Sequence, residues 1–367
     1  MSAPRHAAGP AGPRTAEGRA QPAGASDAPP VALGVAALAH VLGEPVDVAV
    51  AAPRYTTDLD RVRSWEYRTF HRAADGIGVT DLAVVAGGTA LDRAGVAAAD
   101  LDLVVLAVPD LVEHLYWDAA AHTQARLGAH DAEAVLLNQA CGGGVAGFDT
   151  VAGRFATHPG YRTALLIGAN RVCEPYWNRM EINTSVFSDG AAAAVLVRDH
   201  DRCRWLATET ISDGRYAGFM RMPVGGAAAP FTPDAGTPRV GDPAERLNEF
   251  FAGDVRRMFR FVAAIRDRNR RVVAAACARA GVTPADIRRF VHFHDNARQF
   301  AELAKDLGVE LDRTNVDLAL DHGHVGCADQ LIGLEHHLAH GDLTAGDLVA
   351  LTSTGSGMHW VCTLLRV

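Results

Sequence analysis

The segment "VLLNQACGGGVAGFD", from Val135 to Asp149, decides the fold and raises the first question about function. An apolar run typical of a buried strand meets a polar pair, then Cys141, three glycines and further small residues. Glycines let another backbone or a ligand approach such a turn closely. A cysteine is often only a small buried side chain. At the start of a helix, however, the helix dipole favours the thiolate, so Cys141 is also a candidate nucleophile.

The chain contains an internal repeat with an offset of 186 residues. Residues 90–108 resemble residues 276–294, and the same offset pairs Cys141 with Cys327. A third block, "TALLIGA" in the first half, matches "VALTSTG" in the second at this offset. Blocks that share one offset without a gap indicate two structurally similar halves.

The repeat predicts the domain organisation. Residues 31–200 form the first half and residues 201–367 the second. Residues 1–30 are mainly Ala, Pro, Gly and Arg, which bury too little apolar surface to offset the entropy of ordering, so we predict a disordered tail. Apolar β-branched runs alternate with helical patterns, such as Ala119–Leu127 and Ala297–Leu307. This alternation predicts an α/β fold with sheets covered on both faces.

Composition and charge exclude several classes of function. The 367 residues are 49% apolar and 21% charged, as in globular proteins. The net charge of −8 argues against a nucleic-acid partner, which requires a broad basic face. We also expect no membrane partner, because no apolar run is long enough to span a bilayer and no cleavable leader opens the chain. The six cysteines form no CxxC pair, which favours a reduced, cytoplasmic protein.

The second half presents histidines to the same region as Cys141. A predicted strand ends at His294, and a loop carries His324. If the halves face each other across a pseudo-twofold axis, both histidines meet Cys141. A nucleophilic cysteine beside histidine bases suits covalent acyl transfer. The turn in "TSTGSG" and the N–H of Cys141 are candidate oxyanion donors, the turn residues being Gly355, Ser356 and Gly357.

These motifs carry a resemblance to a known family. From about residue 31 to residue 367 the chain resembles the β-ketoacyl-acyl carrier protein synthase III branch of the thiolase superfamily. The similar segments, in the family's order, are "NQACGGGVAGFD", "NTSVFSDGAAAAVL", "HFHDNARQFAELAKDLGV" and "GDLVALTSTGSGMHWVCTLLRV". The resemblance implies a thiolase-like five-layer α/β/α/β/α fold, a homodimer and Cys141 as the nucleophile. It also implies acyl donors carried on coenzyme A or on an acyl carrier protein.

Two departures from the family pattern concern the histidines. The family motif His-x-x-Asn is replaced by His294-Asp295-Asn296, with the asparagine one place early. The family's asparagine in a "GNTS" turn is replaced by His324 in "GHVG". The resemblance therefore implies a Cys–His–His centre, and the candidates for orienting a histidine are Asp295, Asn296 and Asp329. The structural alternatives are an interior histidine at position 294 and a helix cap at position 324.

More than one reaction fits such a centre. Decarboxylative condensation with a malonyl-type thioester needs donors for an enolate oxygen, which two neutral imidazoles can supply. Acyl transfer to an alcohol or amine needs one base for the acceptor's proton. The paired histidines favour condensation to a β-ketoacyl product in specialised metabolism, and ester or amide formation is the alternative. A non-catalytic partner subunit is a third possibility, which the retained Cys141 disfavours.

No metal or redox cofactor is expected. The segment "DHGHVGCAD", residues 321–329, offers histidine, cysteine and aspartate of the types that bind zinc. Its spacing matches no standard zinc-ligand set. The carriers of the substrate, coenzyme A or phosphopantetheine, are the only cofactor-like groups that the sequence implies.

Two surface regions are candidate contact sites. Residues 254–271 form a basic amphipathic pattern, and its predicted buried stripe consists of Val255, Met258, Phe259 and Val262. The arginines that are candidates for docking an acidic carrier protein are Arg256, Arg257 and Arg260. An ordinary charged helix face is the alternative. The candidate pocket residues are Tyr116, Trp117 and Phe187. The first two lie in a loop similar to the one that crosses the dimer interface in the family, and Phe187 begins the segment "FSDG".

Overall fold

The structure, a computed structural model, describes residues 31–109, 111–222, 224–231 and 243–367. The tail predicted for residues 1–30 lies outside the described residues. The strands are β1 (Leu33–Leu42), β2 (Glu44–Asp47), β3 (Thr69–Arg72), β4 (Leu103–Ala107), β5 (Glu133–Leu137), β6 (Thr163–Asn170), β7 (Gly190–Arg198), β8 (Arg204–Ser212), β9 (Ile287–His292), β10 (Leu348–Gly355) and β11 (His359–Arg366). The helices are α1 (Val48–Ala51), α2 (Leu59–Arg63), α3 (Val79–Ala94), α4 (Ala119–Leu127), α5 (Gly143–Thr157), α6 (Pro243–Phe250), α7 (Val255–Arg279), α8 (Ala297–Leu307), α9 (Val316–His322) and α10 (Asp329–Ala339).

The two large sheets repeat one topology. The first sheet has the strand order β1-β7-β6-β4-β5, and the second has β8-β11-β10-β9. In each sheet the first two pairings are antiparallel and the third is parallel. The second half places helix α9 where the offset of 186 residues would put a counterpart of β5. The internal repeat of the sequence therefore has a counterpart in strand order and direction.

The helices form three layers around these sheets. Helices α3 and α4 cover the outer face of the first sheet, and α7 covers the outer face of the second. Helices α5 and α10 lie between the sheets, where the largest apolar cluster is buried. Strands β4 and β6 are buried along almost their whole length because both of their faces are covered. The predicted five-layer α/β/α/β/α thiolase-like fold is confirmed.

The buried stripe predicted for α7 is wrong at three of its four positions, and the fourth, Met258, is partly buried against an apolar cluster. Val255, Phe259 and Val262 are 54%, 71% and 48% exposed. The inward side chain near the start of the helix is Phe261, whose ring lies 4.7 Å from that of Tyr216 in an aromatic cluster. The inward residues Met258, Phe261 and Ile265 themselves follow helical spacing, so the buried face lies on a different side of the same periodic pattern.

A buried ion pair joins three segments beneath the central region. Arg179 is wholly buried, and its two Nη atoms donate to the Asp189 carboxylate at 3.0 and 2.8 Å. Asp189 also accepts hydrogen bonds from the backbone N–H groups of Ala73 and Val172, both at 2.8 Å. These bonds tie the ends of β3 and β6 to the start of β7.

Replacing Arg179 with methionine is expected to destabilise the protein by about 3 kcal/mol, because Asp189 is left buried without its main counter-ion. The second arginine near it, Arg171, has Nη1 at 3.3 Å and keeps the loss at the lower end of the usual range. Urea unfolding measures the change. Arg162→Met, which removes an exposed pair to Asp199 at 3.8 Å, is the control and should change the free energy of unfolding little. Equal losses in both variants would contradict the prediction.

Among the described residues, every helix is too short or too polar to cross a membrane.

Candidate active site

Cys141 lies in a tight turn between β5 and α5. Residue Ala140 has a left-handed φ of 47°, which turns the chain sharply before the cysteine. The Ser353 hydroxyl donates a hydrogen bond to the Cys141 carbonyl at 2.9 Å. Gly355 packs directly on this turn, and a Cβ at that position would lie 2.6 Å from the Gln139 carbonyl oxygen. The second half thus braces the turn from strand β10, and the cysteine remains partly exposed.

His324 contacts the Cys141 sulfur. Its Nε2 lies 3.0 Å from Sγ, and its Nδ1 lies 2.5 Å from Asp329 Oδ2. The backbone holds the ring in place, since the His324 N–H donates to Val186 O at 2.7 Å and its carbonyl accepts from Ser188 N at 2.8 Å. The sulfur, the imidazole and the carboxylate form one continuous hydrogen-bonded chain.

Asp329 is the buried acid of this chain. Its carboxylate also accepts hydrogen bonds from the backbone N–H groups of His294 and Val325, each at 2.7 Å. Burial alone would raise the pKa of Asp329, but the imidazoles of His294 and His324 hold it below its usual range. Burial alone would lower the pKa of His324, but Asp329 and the Cys141 sulfur raise it well above its usual range. The electrostatics therefore favour a charged carboxylate beside an imidazole that readily holds a proton.

His294 has a different environment from the one expected. Its side chain is wholly buried, and its Nδ1 donates to the Gly323 carbonyl at 2.8 Å. The other ring nitrogen, Nε2, has no hydrogen-bond partner among the described residues. Burial lowers the pKa of His294 to about 4, so the ring is neutral at pH 7. No hydrogen bond within the described part of the chain joins it to Cys141.

The residue after β9 that approaches His324 is Phe293. Its ring centroid lies 5.3 Å from that of His324, and the Phe187 ring lies 4.8 Å away on an edge-to-face contact. Counted back from Asn296, the family motif His-x-x-Asn places the histidine at position 293. The prediction of His294 counts the motif from the histidine, whereas counting it from Asn296 points to this aromatic residue.

The other two candidates for orienting a histidine, Asn296 and Asp295, form their hydrogen bonds with groups other than the His294 and His324 rings. The Asn296 side chain caps helix α8 by accepting from Gln299 N at 3.0 Å, and it donates to Thr184 O at 2.9 Å. The Asp295 carboxylate accepts from Ser185 Oγ at 3.3 Å and from the Asn296 N–H at 2.8 Å. Burial raises the pKa of Asp295 to about 6. Of the three candidates, Asp329 is the one whose carboxylate bonds a histidine ring.

The pocket candidates occupy three different environments. Phe187 lies against His324, as described above. Tyr116 is fully exposed at the surface. Trp117 packs against the apolar cluster under α3 and lies 4.8 Å from the His122 ring, so it covers the core of its own chain.

A cavity of about 1190 Å³ opens beside this region. Its wall includes apolar side chains such as Val172, Tyr176 and Met222. These three residues pack in one apolar cluster with Phe187. The cavity therefore adjoins the apolar cluster that contains Phe187.

In the segment 321–329, two of the side chains that are possible zinc ligands form hydrogen bonds with other protein atoms. Cys327 Sγ lies 3.0 Å from the Ala140 carbonyl oxygen, and Asp329 bonds His324. Among the described residues, the group that brings three ligand atoms within 4.8 Å of one another is elsewhere, at His336, His337 and Asp342. There the His337 Nδ1 donates to Asp342 at 2.8 Å.

At the protein surface, the arginines proposed to dock a carrier protein are exposed on α7: Arg256, Arg257 and Arg260.

Comparison with solved structures defines the class of protein. The structure of ChlB3, named as an acyltransferase, has a TM-score of 0.80, 22% identity and coverage of 91% of this chain and 97% of that one. The structure of 3-oxoacyl-(acyl carrier protein) synthase III from Pseudomonas aeruginosa has a TM-score of 0.72, 26% identity and coverage of 91% and 98%. The fold and the cysteine turn thus define an enzyme scaffold of the thiolase class.

Sequence relatives define the family within that class. The model of the 3-oxoacyl-acyl-carrier-protein synthase III family matches residues 137–214, and the model of its C-terminal part matches residues 277–367. The chain is 32% identical over 297 residues to β-ketoacyl-acyl-carrier-protein synthase III of Gloeobacter violaceus, covering 80% of this chain and 85% of the relative. It is 33% identical over 319 residues to that of Rhodospirillum centenum, covering 85% and 91%. The chain belongs to the β-ketoacyl-acyl carrier protein synthase III family.

Proposed function

We propose that the protein is an acyltransferase that moves an acyl group from a coenzyme A or carrier-protein thioester, through Cys141, to a hydroxyl or amine acceptor. The observation that carries the proposal is the chain from Cys141 Sγ through His324 to Asp329, with distances of 3.0 and 2.5 Å. A nucleophile, a base in contact with it and an acid orienting that base are the parts that covalent acyl transfer requires. The reaction needs no metal or redox group.

In the first step the Cys141 thiol gives its proton to His324 Nε2, and the sulfur attacks the donor's thioester carbonyl. The N–H of Cys141 and one from the Gly355–Gly357 turn stabilise the oxyanion. The donor's carbon–sulfur bond breaks, and the departing thiolate takes the proton from His324. The products are an acyl-Cys141 thioester and a free carrier thiol.

In the second step His324 acts as the base for the acceptor. Its Nε2 removes the proton from the acceptor's hydroxyl or amine as the oxygen or nitrogen attacks the acyl carbonyl. The bond to Cys141 sulfur then breaks, and His324 returns the proton to that sulfur. An ester or amide is released, and the free thiol is restored.

Phe293 supports transfer over condensation. Decarboxylation leaves an enolate oxygen that needs hydrogen-bond donors, and an apolar ring stands beside His324 in place of one. His294 is a poor substitute, because its Nδ1 carries the proton donated to Gly323 and its neutral Nε2 has none to donate. Condensation, which the paired histidines of the sequence favoured and the family's name describes, is the second candidate.

Carbon dioxide release separates the two reactions. Enzyme preloaded with an acyl donor is offered either a malonyl thioester labelled in its free carboxylate or a panel of alcohols and amines. The proposal expects ester or amide product and no labelled carbon dioxide above the enzyme-free control. Labelled carbon dioxide with a β-ketoacyl product would overturn the proposal in favour of condensation.

Phe293→His is expected to introduce decarboxylation of the malonyl thioester, at least about tenfold above the enzyme-free background, because it adds a donor beside the acyl-enzyme. The matched control is Phe300→His, which alters a buried aromatic residue on α8 outside the site. A Phe293→His variant that folds, acylates and still releases no carbon dioxide would contradict the role given to Phe293.

The partners follow from the same proposal. We infer a homodimer, supported by the exposed apolar pair Leu115 and Tyr116, which are 79% and 109% exposed at the loop that crosses the interface in the family. An acidic carrier protein would bind the arginine-rich start of α7, where Phe259 adds an exposed apolar contact.

A further inference from the structure

We propose that Cys327, the repeat counterpart of Cys141, is a positioning residue whose thiol holds the turn of the nucleophile in place. The proposal rests on the proposed function only in naming Cys141 as the reactive sulfur. It assigns a role to a second cysteine that the acyl-transfer steps do not use.

The contact is a hydrogen bond from a buried thiol. Cys327 is wholly buried, and its Sγ lies 3.0 Å from the Ala140 carbonyl oxygen. A carbonyl oxygen only accepts, so the thiol is the donor. Burial, followed by the electrostatic interaction with Cys141, raises the pKa of Cys327 well above its usual range, which keeps that donor protonated.

The residue that Cys327 holds is the strained one. Ala140 has a φ of 47°, a conformation that residues with a side chain adopt only with support from their surroundings. Its carbonyl also accepts from the Gly143 N–H at 3.1 Å, at the start of α5. The Cys327 thiol is the contact to this carbonyl from the second half of the molecule.

Packing fixes Cys327 as tightly as it fixes the turn. A Cβ at Gly144 would lie 2.0 Å from the Cys327 carbonyl oxygen, and one at Gly168 would lie 2.2 Å from it. A Cβ at Gly143 would lie 3.3 Å from Cys327 Sγ. Backbone-to-backbone contact of this kind leaves the short segment around Cys327 little room to move.

The consequence concerns the distance between nucleophile and base. His324 and Cys327 lie three residues apart on one loop, so this loop contacts the cysteine turn at two points. His324 contacts Sγ at 3.0 Å, and Cys327 contacts the preceding carbonyl at 3.0 Å. Without the second contact, the turn can shift relative to His324, and proton transfer from Cys141 becomes slower.

Alkylation of Cys141 by iodoacetamide at pH 7 tests the proposal without any acyl donor. Rates are followed by peptide mass spectrometry in wild type, Cys327→Ala, Cys327→Ser and Cys277→Ala, and each melting temperature is recorded. Cys277 is a buried thiol on α7 far from the turn, so its alanine variant controls for loss of a buried sulfur. Loss of one hydrogen bond of about 1 kcal/mol predicts about fivefold slower alkylation in Cys327→Ala.

Cys327→Ser retains a donor and is expected to restore the rate to within about twofold. A wild-type rate in Cys327→Ala would overturn the proposal. So would equal slowing in the alanine and serine variants, or a loss in Cys277→Ala of the same size. Because iodoacetamide reacts with the sulfur directly, these outcomes stand whether or not any acyl thioester proves to be a donor.

Discussion

Replacing Cys141 with alanine is expected to abolish acylation of the protein by every thioester donor. Wild type incubated with a panel of acyl-coenzyme A and acyl carrier protein thioesters should gain the mass of one acyl group, and Cys141→Ala should gain none. The physical reason is that the covalent intermediate forms on the sulfur that lies against a base, since Cys141 Sγ is 3.0 Å from His324 Nε2.

Intact-protein mass spectrometry measures the adduct, and Cys173→Ala is the matched control. Cys173 is the other partly exposed thiol of the described chain, and it lines the large cavity. Its alanine variant should acylate like wild type. Acylation of Cys141→Ala at wild-type stoichiometry would contradict the assignment. Absence of an adduct with any donor would favour the non-catalytic partner subunit.

The sequence was most informative where short-range pattern and the repeat agreed. The helices predicted over Ala119–Leu127 and Ala297–Leu307 have those bounds in the structure. The repeat predicted that the halves face each other, which brings His324 to Cys141. Both inferences depend on local patterns and on one symmetry relation, so neither required knowledge of side-chain packing.

The sequence was least informative where one residue of register decides which side chain faces the site. Successive residues at the end of a strand point to opposite sides, so moving the motif by one place exchanges His294 for Phe293. The role of Asp329 was likewise one candidate among three, because a carboxylate's partner depends on the path of the loop that precedes α10. For α7 the periodicity allows more than one apolar side, and the structure turns Phe261 rather than Phe259 towards the ring of Tyr216.

Asp329→Asn is expected to slow acyl transfer by about a thousandfold. The carboxylate lies 2.5 Å from His324 Nδ1 and is one of the groups that raise the pKa of that imidazole. An amide neither carries the charge nor fixes the proton on Nδ1, so Nε2 is no longer held as the acceptor facing the sulfur. The backbone bonds from His294 and Val325 go to different carboxylate oxygens, Oδ2 and Oδ1, so the single amide oxygen of asparagine can accept only one of them.

The pH dependence distinguishes a lost orienting charge from a merely looser fold. In the acyl-enzyme the Cys141 sulfur is a neutral thioester and no longer contributes, so Asp329 is the main group left to raise the pKa of His324. Transfer to the acceptor requires the neutral imidazole, and its rate therefore rises with pH through that pKa. In Asp329→Asn the midpoint of this rise should move to lower pH while the plateau falls.

Single-turnover transfer from preformed acyl-enzyme, measured across pH, gives both quantities. Asp342→Asn is the matched control, because Asp342 pairs with His337 at 2.8 Å beyond the other end of α10 and touches no part of the site. It should leave the plateau and the midpoint unchanged. A fall in the Asp329→Asn plateau with the midpoint in its wild-type position would show that the carboxylate acts only through folding, and a wild-type plateau would remove it from the mechanism.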